Sequence, residues 1–438
     1  MNFLIDLTTI LFVLSVLVFI HESGHYLVAK WCGVRVEVFS LGFGKRLFGF
    51  RRGDTDYRVS LLPIGGYVKM AGENPMESRT GDPGEFASHP RWQRFLIAIA
   101  GPTVNIIFTI VVLTCLFMVH DEREKFLDEP TVIGDVDPNS PAQKAGFQVG
   151  DQILNIQGMA NPTWEDVFYK AALNPNQPVD VTIKRGTEVL HKTVVPQLSD
   201  SQLGSVGWGP YLGAGIAGVD PGSPAEKAGV RAGDTVSAIN GIPVQTFTEF
   251  SAKLQESKGS PVELTIERDG HERKVMVAPY YDSAKSKYRV GTVLGPAIRV
   301  GRLPFNAAFN KSLATTRSKS LLVFELLQKL IQKKVSIRVL QSPVGMSQET
   351  GDAAKRGLPN LVGIMALISL QLGILNLLPI PILDGGMMLM LFIEGIIRRD
   401  INQQIKERMY QVAFVALVLF FSVVIYNDVA KSFMHHAP

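Results

Sequence analysis

The sequence predicts a polytopic α-helical membrane protein with four transmembrane helices and two inserted α+β domains. Four apolar, nearly uncharged stretches lie in two groups towards the ends of the 438-residue chain. About 240 more polar residues separate the two groups and contain an internal repeat. A short motif of ionisable residues directly follows the first apolar stretch. These three observations set the expected architecture.

The apolar stretches are candidates for crossing a bilayer, which takes about 20 residues in a helix. The third stretch is interrupted at Pro379 and Pro381 and resumes after Asp384. Non-helical backbone at membrane depth is tolerated only where it is buried in protein or lines a cavity, so this interruption predicts the wall of a site. The four stretches cover residues 3–20, 95–119, 361–378 and 412–426.

Basic residues predict the orientation of the helices. No Lys or Arg precedes Lys30 and no small-residue cleavage site is present, so a removable signal peptide is not expected. Because cytoplasmic loops are rich in Lys and Arg, we expect the loop after the first helix in the cytoplasm. Both termini and the central insertion are then extracytoplasmic, in a multi-pass protein of the cell (inner) membrane. The basic residues of that loop are Lys30, Arg35, Lys45, Arg46, Arg51, Arg52, Arg58 and Lys69.

The composition predicts the lipid bilayer as a partner and no nucleic acid. The net charge is +4 and is spread along the chain without a basic block. The two cysteines, Cys32 and Cys115, adjoin opposite ends of different apolar stretches. That placement supports neither a disulfide framework nor a thiolate metal site.

The central insertion contains two copies of one domain. Residues 136–146 recur 83 positions later as 219–229, and the same offset maps 179–183 onto 262–266. Each copy has the motif Ser-Pro-Ala-x-Lys-Ala-Gly, a Gly-Asp turn and an alternating strand. This pattern resembles the PDZ domain in its bacterial, permuted order. The resemblance implies capture of an extracytoplasmic peptide or a trimmed ectodomain at a sheet edge.

The two copies differ where such a peptide would bind. Residues 211–216, Tyr-Leu-Gly-Ala-Gly-Ile, resemble the carboxylate-binding turn of a PDZ domain, whereas the first copy enters through Glu129-Pro130-Thr131 without glycine. An equally good interpretation is that both copies are empty and act as a spacer or a steric filter.

Five segments follow from these patterns. The segment 303–359 is amphipathic and basic, which predicts a helical region on the membrane surface or, alternatively, a helix packed on the inserted domains. The expected boundaries are 1–119 for the first membrane half, 129–200 and 205–283 for the two PDZ domains, 303–359 for the amphipathic region and 360–438 for the second membrane half.

His21, Glu22 and His25 form the motif H-E-x-x-H at the end of the first apolar stretch. On a helix this spacing places two imidazoles one turn apart on one face, where both bind one zinc ion beside a glutamate that activates water. Ionisable groups within a span cost about 3 kcal/mol each on insertion scales, and a bound metal would offset that cost. The alternative is that these side chains reach the cytoplasmic interface just before Lys30.

Asp384 is the best third metal ligand. It is the sole carboxylate between Leu361 and Ile393, and it follows the two prolines that interrupt the third apolar stretch. Catalytic zinc usually has three protein ligands and one open position. The alternative is that Asp384 caps the helix that follows Gly385 and Gly386.

Three motifs on three apolar stretches together resemble the site-2 protease family of intramembrane zinc metalloproteases, in its bacterial form with a tandem PDZ insertion. They are H-E-S-G-H at 21–25, G-P-T-V-N at 101–105 and N-L-L-P-I-P-I-L-D-G-G at 376–386. The resemblance covers nearly the whole chain. The chain departs from the family at Met387 and Met388, where members often carry His or Arg.

The resemblance implies zinc as the cofactor, His21, His25 and Asp384 as its ligands, and Glu22 as the base that takes a proton from water. It also implies that residues 57–69 form a membrane-associated β-hairpin that pairs with an unwound substrate, although Gly65 and Gly66 alone fit an ordinary hairpin turn. The implied substrate-binding residues are Asn376, Pro379, Pro381, Gly65, Gly66 and Tyr67.

The expected function is therefore site-2 cleavage of transmembrane substrates, such as an anti-sigma factor or a remnant signal peptide, in regulated intramembrane proteolysis. One alternative is a catalytically dead membrane scaffold that presents two PDZ domains, and the presence of Glu22 disfavours it. A metal transporter is the other alternative. The absence of a membrane repeat and the tandem peptide-binding domains disfavour that class.

Overall fold

The computed structural model describes residues 2–73, 81–127, 130–199, 202–210, 213–244, 246–268, 270–282, 287–295, 298–340 and 343–434. The chain divides into two compact units. The first consists of Met1–Val119, Leu303–Gln328 and Leu340–Pro438, and the second of His120–Arg302 and Lys329–Val339. Each unit is described separately below.

The described helices and strands are numbered in chain order. The α-helices are α1 (Asn2–Trp31), α2 (Arg91–Val119), α3 (Pro141–Lys144), α4 (Trp164–Ala172), α5 (Pro224–Lys227), α6 (Phe247–Glu256), α7 (Phe305–Ile331), α8 (Pro343–Arg356), α9 (Leu358–Asn376), α10 (Asp384–Ile397) and α11 (Gln403–Met434); the 3-10 turns are Phe86–Ser88, Lys125–Leu127 and Ile337–Val339. The strands are β1 (Val36–Arg52), β2 (Thr55–Met70), β3 (Asp121–Glu124), β4 (Ile133–Val136), β5 (Gln152–Ile156), β6 (Met159–Ala160), β7 (Val179–Arg185), β8 (Glu188–Val194), β9 (Gln197–Leu198), β10 (Gly204–Ser205), β11 (Trp208–Pro210), β12 (Ala214–Val219), β13 (Thr235–Ile239), β14 (Ile242–Pro243), β15 (Val262–Arg268), β16 (His271–Val277), β17 (Tyr280–Asp282), β18 (Lys287–Arg289), β19 (Thr292–Gly295) and β20 (Ile298–Gly301).

Among the described residues, four helices of the first unit are long and apolar enough to cross a membrane. They contain between 19 and 29 residues. Each of the four apolar stretches of the sequence falls largely within one of these helices, which confirms the prediction of a membrane protein with four candidate spans. The candidate spans are Ile5–Trp31, Arg91–Val119, Leu358–Asn376 and Gln403–Tyr426.

Helix α2 packs against both α1 and α9, and glycines set how closely the helices approach. A Cβ atom on Gly24 of α1 would lie 2.6 Å from the carbonyl oxygen of Ala100, and one on Gly373 of α9 would lie 2.9 Å from that of Pro102. Real Cβ atoms do not approach backbone so closely. The two crossings are therefore backbone-to-backbone contacts that only glycine permits.

Strands β1 and β2 form a long, bent antiparallel ribbon in the first unit. Residues 36–41 pair with 66–70, residues 38–41 also pair with 56–59, and residues 48–52 pair with 55–59. The turn of the ribbon lies at Gly53 and Asp54, where Gly53 has a φ of 60°. The interpretation of Gly65 and Gly66 as an ordinary hairpin turn is therefore wrong, because both lie inside β2.

Close packing explains these two glycines. A Cβ on Gly66 would lie 2.5 Å from the carbonyl oxygen of Ser40 on the paired strand, and one on Gly65 would lie 3.1 Å from the ring of Phe43. The two glycines thus allow β2 to lie close against β1.

The predicted interruption of the third span is present as a change of helix. Helix α9 ends at Asn376, and α10 begins at Asp384. The intervening turn is held by backbone hydrogen bonds, including the amide of Ile380 to the carbonyl of Leu378 and the amide of Leu383 to the carbonyl of Ile380. The fully buried Glu394 of α10 then accepts a hydrogen bond from Lys406 of α11, with Oε1 and Nζ 2.6 Å apart.

The amphipathic segment begins within the first unit. Ser312 on α7 is fully buried, and its hydroxyl is 2.8 Å from that of Thr114 on α2. The Lys311 ammonium lies over the ring of Phe117 at 4.5 Å. Residues 303–328 are therefore anchored on α2 by polar and cation–π contacts.

The second unit contains two repeats of the same elements. Helix α3, strands β5, β7 and β8 of the first repeat correspond at an offset of 83 residues to α5, β13, β15 and β16 of the second. Each repeat has its own buried apolar cluster, with Trp164 in the first and Phe250 in the second. The cluster of the first repeat includes Val206 and Trp208, which lie beyond the expected boundary at residue 200.

The sheets of the two repeats have different connectivity. In the first, β6-β5-β7-β8 form one sheet, and β4 pairs separately with β11. In the second, the order β16-β15-β13-β12-β19 is continuous, and β14 pairs with β13. The strand β19 extends this repeat beyond the expected boundary at residue 283.

The predicted carboxylate-binding turn at 211–216 is not at a free sheet edge. Tyr211 and Leu212 lie outside the described residues. The rest of the turn leads into β12, which pairs with β13 on one side and β19 on the other. The backbone of 214–216 is already paired with β13, with β19 or with both, so the prediction is wrong for these residues. Among the described strands, β16 and β19 lie at the two ends of the continuous order.

Both repeats close their Gly-Asp turn with the same ion pair. Asp151 is fully buried and accepts hydrogen bonds at both carboxylate oxygens from Arg185, at 2.7 and 2.8 Å. In the second repeat Asp234 accepts from Arg268 at 2.6 and 2.8 Å. In each case the same arginine also donates to a backbone carbonyl, that of Gly146 or Gly229. This aspartate–arginine clamp therefore recurs at the same 83-residue offset as the sequence repeat.

Candidate metal centre

Three predicted ligands converge in the first unit. His21 and His25 lie one turn apart on α1, and Asp384 is the first residue of α10. Nε2 of His21 is 3.1 Å from Oδ2 of Asp384, Nε2 of His25 is 3.4 Å from Oδ1, and the two Nε2 atoms are 3.2 Å apart. One ligand atom from each residue lies within 4.8 Å of the other two. Residues more than 350 positions apart in sequence thus form one cluster.

The spacing and chemistry of this cluster fit zinc. Ligand atoms bound at about 2.0–2.1 Å to a tetrahedral ion lie about 3.3–3.4 Å from one another. The three distances between donor atoms are 3.1, 3.2 and 3.4 Å. Oδ2 of Asp384 has no hydrogen-bond partner among the described residues, although Nε2 of His21 is near. Two imidazoles and one carboxylate form a three-ligand set of the kind found in catalytic zinc sites.

The backbone of α2 forms the floor of the cluster. Nδ1 of His25 is 2.7 Å from the carbonyl oxygen of Ile97. A Cβ on Gly101 would lie 2.4 Å from Nε2 of His25 and 2.8 Å from Cε1 of His21. Glycine at this position is therefore required for both rings to lie against the helix.

Glu22 lies between the histidines in sequence and is tied to the β-ribbon in the structure. Its Oε2 accepts a hydrogen bond of 3.1 Å from the amide of Val68. Val68 is paired with Phe39 of β1, but its amide donates to Glu22, so this amide points away from β1 on the outer edge of β2. The edge of the strand and the glutamate are thus in direct contact.

The predicted substrate-binding residues have different positions. Asn376, the last residue of α9, has its side-chain nitrogen 3.3 Å from Nε2 of His21, so it lies at the cluster. Pro379 and Pro381 lie in the turn between α9 and α10. Tyr67 has other partners, because Arg58 donates to its hydroxyl and its ring stacks on Phe43 at 5.7 Å.

Two contacts of the cluster were not predicted from sequence. Val68 has no distinctive side chain, and its contribution is a backbone amide that no sequence pattern reports. Asn105 is fully buried, with its side-chain nitrogen 3.3 Å from Nδ1 of His21. The available signals for Asn105 were its polarity within the uncharged stretch 95–119 and its place in the motif G-P-T-V-N at 101–105.

Comparisons with known proteins agree with this geometry. The sequence matches the model of Peptidase family M50 over residues 9–420. A putative zinc metalloprotease of Vibrio cholerae serotype O1 is 32% identical, and the alignment covers 95% of this chain and 97% of that protein. Protease RseP of Yersinia pestis is 32% identical over 98% of this chain and 100% of its own length. The regulator of sigma-E protease RseP of Escherichia coli K12 is 31% identical with the same coverage.

One solved structure is similar over a small part of the chain. The PDZ domain of the SdrC-like protein from Listeria monocytogenes covers 19% of this chain and 88% of its own, at 20% identity and a TM-score of 0.18. That TM-score assigns no fold to the chain.

The family match covers most of the sequence, and relatives above 30% identity align over nearly its whole length. The family is dependent on zinc, and the three-ligand cluster fits that metal. The chain therefore belongs to peptidase family M50, the site-2 protease family, and is an intramembrane zinc metalloprotease.

Proposed function

We propose that this protein cleaves transmembrane substrates within the membrane at the cluster formed by His21, His25 and Asp384. The observation that carries the proposal is the convergence of these residues within 4.8 Å on helices of a unit with four candidate membrane spans. His21 and His25 are buried and supply neutral Nε2 ligands, and Asp384 supplies the anionic ligand. Zinc bound there would polarise the scissile carbonyl and the attacking water.

Glu22 is the proposed general base. It directly follows one ligand on α1, and its carboxylate accepts the Val68 amide at 3.1 Å, which fixes its orientation. A carboxylate held beside the metal ligands takes the proton from water and passes it to the leaving amine.

The outer edge of β2 is the proposed binding site for the substrate backbone. A transmembrane helix hides its amides in hydrogen bonds, so cleavage requires local unwinding. Along a strand, every second residue points its amide to the same edge. The amide of Gly66, two residues before Val68, therefore faces the same outer edge of β2 as the amide of Val68. An extended substrate can add to this edge beside Glu22, and Gly65, Gly66 and Tyr67 belong to the strand segment that would receive it.

Asn376 and the turn after it are the proposed second wall of the substrate site. The Asn376 amide lies 3.3 Å from the ligand atom of His21, close enough to donate to a substrate carbonyl held at the metal. Pro379 and Pro381 end the helix just after Asn376, which leaves the turn free of α-helical hydrogen bonding.

The proposed orientation places the metal cluster towards the cytoplasm of the cell (inner) membrane, with both termini and the second unit outside it. The basic loop after α1 supports this orientation. After replacement of the native cysteines by serine, Asp54→Cys should react with an impermeant thiol reagent only from the cytoplasmic side. Glu188→Cys should react only from the other side, and the reverse pattern would contradict the orientation.

The two repeats are proposed to be PDZ domains that select trimmed ectodomains, by end capture or by size. Their repeated elements support two copies, and β19 in the second repeat has an edge that no other described strand covers, as peptide addition requires. Relatives named regulator of sigma-E protease support an anti-sigma factor or a remnant signal peptide as the substrate class. With residues 132–295 replaced by a flexible linker, untrimmed substrate should be cleaved. Continued strict dependence on the first cut would contradict the filter.

The decisive test of the proposed function compares the wild-type protein with Glu22→Gln. We expect the variant to keep its zinc and to lose cleavage of a transmembrane reporter, because only the base is removed. Glu349→Gln, which alters an exposed carboxylate on α8, is the matched control and should remain active. Unchanged cleavage by Glu22→Gln would remove Glu22 from the mechanism.

A further inference from the structure

Asn105 is a buried polar residue that the proposed mechanism does not use. It lies on α2 with no exposed surface, and its amide is 3.3 Å from Nδ1 of His21. This is the ring nitrogen opposite to Nε2, which faces Asp384. Asn105 therefore contacts His21, a proposed ligand, on the side of the ring that faces away from Asp384.

We propose that Asn105 is a positioning residue whose side-chain carbonyl accepts a hydrogen bond from Nδ1–H of His21 and thereby holds Nε2 towards the metal. The inference rests on the proposed function, because it requires His21 to be a ligand. Partners of this kind, which hold the second ring nitrogen of a metal-binding histidine, fix its tautomer and its ring orientation.

The proton on the imidazole determines which end of the amide must face it. A neutral histidine that gives its Nε2 lone pair to a cation carries its proton on Nδ1. A group 3.3 Å from Nδ1 must then be an acceptor, and the oxygen and nitrogen ends of an asparagine amide are nearly identical in size. With the nitrogen end towards His21, Oδ1 of Asn105 is buried without a hydrogen-bond partner among the described residues. With the oxygen end towards His21, Oδ1 receives the proton.

The backbone of Asn105 is held from a third helix. Its carbonyl accepts hydrogen bonds from the hydroxyls of Thr109 and Ser369, each 3.0 Å long. The Thr109 hydroxyl is also 3.0 Å from the carbonyl of Ala366 on α9. These contacts hold the backbone of Asn105 and do not involve His21. A substitution of Thr109 therefore serves as a control for a change in the same group of hydrogen bonds.

The two histidines differ in the kind of partner behind them. Nδ1 of His25 faces the backbone carbonyl of Ile97, which no substitution removes. The acceptor for His21 is a side chain, so its contribution can be measured directly.

The test measures zinc affinity of the purified full chain by competition with a chelator, which reports the site independently of cleavage. Asn105→Leu keeps the volume and removes the acceptor, and we expect zinc to bind about 10- to 100-fold more weakly. Asn105→Asp keeps an acceptor and should retain affinity within about threefold of wild type. Thr109→Val should likewise stay near wild type. In selectively ¹⁵N-labelled protein with zinc, the His21 Nδ1–H signal should shift in Asn105→Leu.

Wild-type affinity in Asn105→Leu would overturn the inference. So would an equal loss in Asn105→Leu and Asn105→Asp, or in Asn105→Leu and Thr109→Val, because the effect would then follow from packing rather than from the acceptor. His21→Ala separates the two proposals. If it keeps wild-type zinc affinity, the metal assignment itself fails, and if it loses zinc while Asn105→Leu does not, only the role of Asn105 fails.

Discussion

Aspartates in the two units have opposite environments. In the repeats, Asp151 and Asp234 are at most 1% exposed, and an arginine together with a backbone amide satisfies both carboxylate oxygens. Asp384 in the membrane unit faces two imidazoles and no lysine or arginine among its described partners, and its Oδ2 lacks a hydrogen bond there. The first arrangement is electrostatically complete without any ligand. The second lacks such a fixed positive partner, which is what we expect of a carboxylate that binds a metal ion rather than one in a structural ion pair.

The largest effect should come from removing the charge of Asp384. Asp384→Asn keeps the volume of the side chain but replaces the anionic ligand with a neutral amide. We expect zinc affinity to fall by more than the ~10- to 100-fold that loss of an outer partner costs, with cleavage abolished. Chelation should inactivate the wild-type protein reversibly on re-addition of zinc, whereas the variant should not recover. Zinc affinity within tenfold of wild type would show that the cluster does not depend on this carboxylate.

The next largest effect should come from Gly101. In Gly101→Ala the new Cβ would lie 2.4 Å from Nε2 of His25, so the ring must move off α2. We expect zinc affinity to fall at least ~10-fold, because ligands must hold their geometry closely. Gly363→Ala on α9 is the matched control, since its Cβ would meet Leu116 at an ordinary 3.6 Å. Equal zinc affinities in the two variants would contradict the packing of the histidines on α2.

In the repeats the corresponding substitutions should change stability and leave zinc binding intact. Asp151→Ala and Asp234→Ala each leave an arginine without its carboxylate partner, which should lower the free energy of unfolding of that repeat by about 2–4 kcal/mol. The cost should be larger for Asp234, because the Arg268 side chain is 15% exposed and that of Arg185 is 32% exposed. Hydrogen exchange of β5 and β13 in the full chain measures each repeat separately. A larger loss for Asp151, or loss of zinc in either variant, would contradict the comparison.

A smaller effect is expected from acid. Burial raises the pKa of Asp151, but the hydrogen bonds from Arg185 and from the Gln148 amide, with the arginine charge, lower it below its usual value overall. A lowered pKa in the folded state means that the clamp contributes stability above the ordinary pKa of aspartate and loses it as the pH falls through the folded value. Exchange protection of β5 and β7 should therefore decrease below pH ~4. In Asp151→Asn this acid-dependent decrease should be weaker, and an unaltered profile would exclude the carboxyl as its cause.

Local sequence patterns were sufficient where the deciding interactions are local or chemically unusual. The histidine spacing follows from one helical turn, and Asp384 was identified because a lone carboxylate after two prolines is rare in an apolar stretch. The repeats were visible from their 83-residue offset, which also carries the aspartate clamp. These features need no knowledge of which distant segments meet.

Features that depend on distant contacts were missed. Gly65 and Gly66 have the composition of a turn, but they are explained by Ser40 and Phe43 on the paired strand, and the turn between β1 and β2 lies at Gly53. Similarly, the glycines before β12 have the composition of a peptide-binding turn, yet pairing with β13 and β19 leaves no free edge there. Turn propensity is local, whereas strand pairing is decided by long-range register.

The contact between Gly24 and the carbonyl of Ala100 limits how this enzyme can open. At this crossing no side chain lies between the two main chains, so the helices cannot slide or separate there by repacking side chains. We therefore expect the histidine-bearing helix and the helix behind it to move together. A substrate would then enter by displacement of the ribbon edge near Val68 or of the proline-containing turn before Asp384.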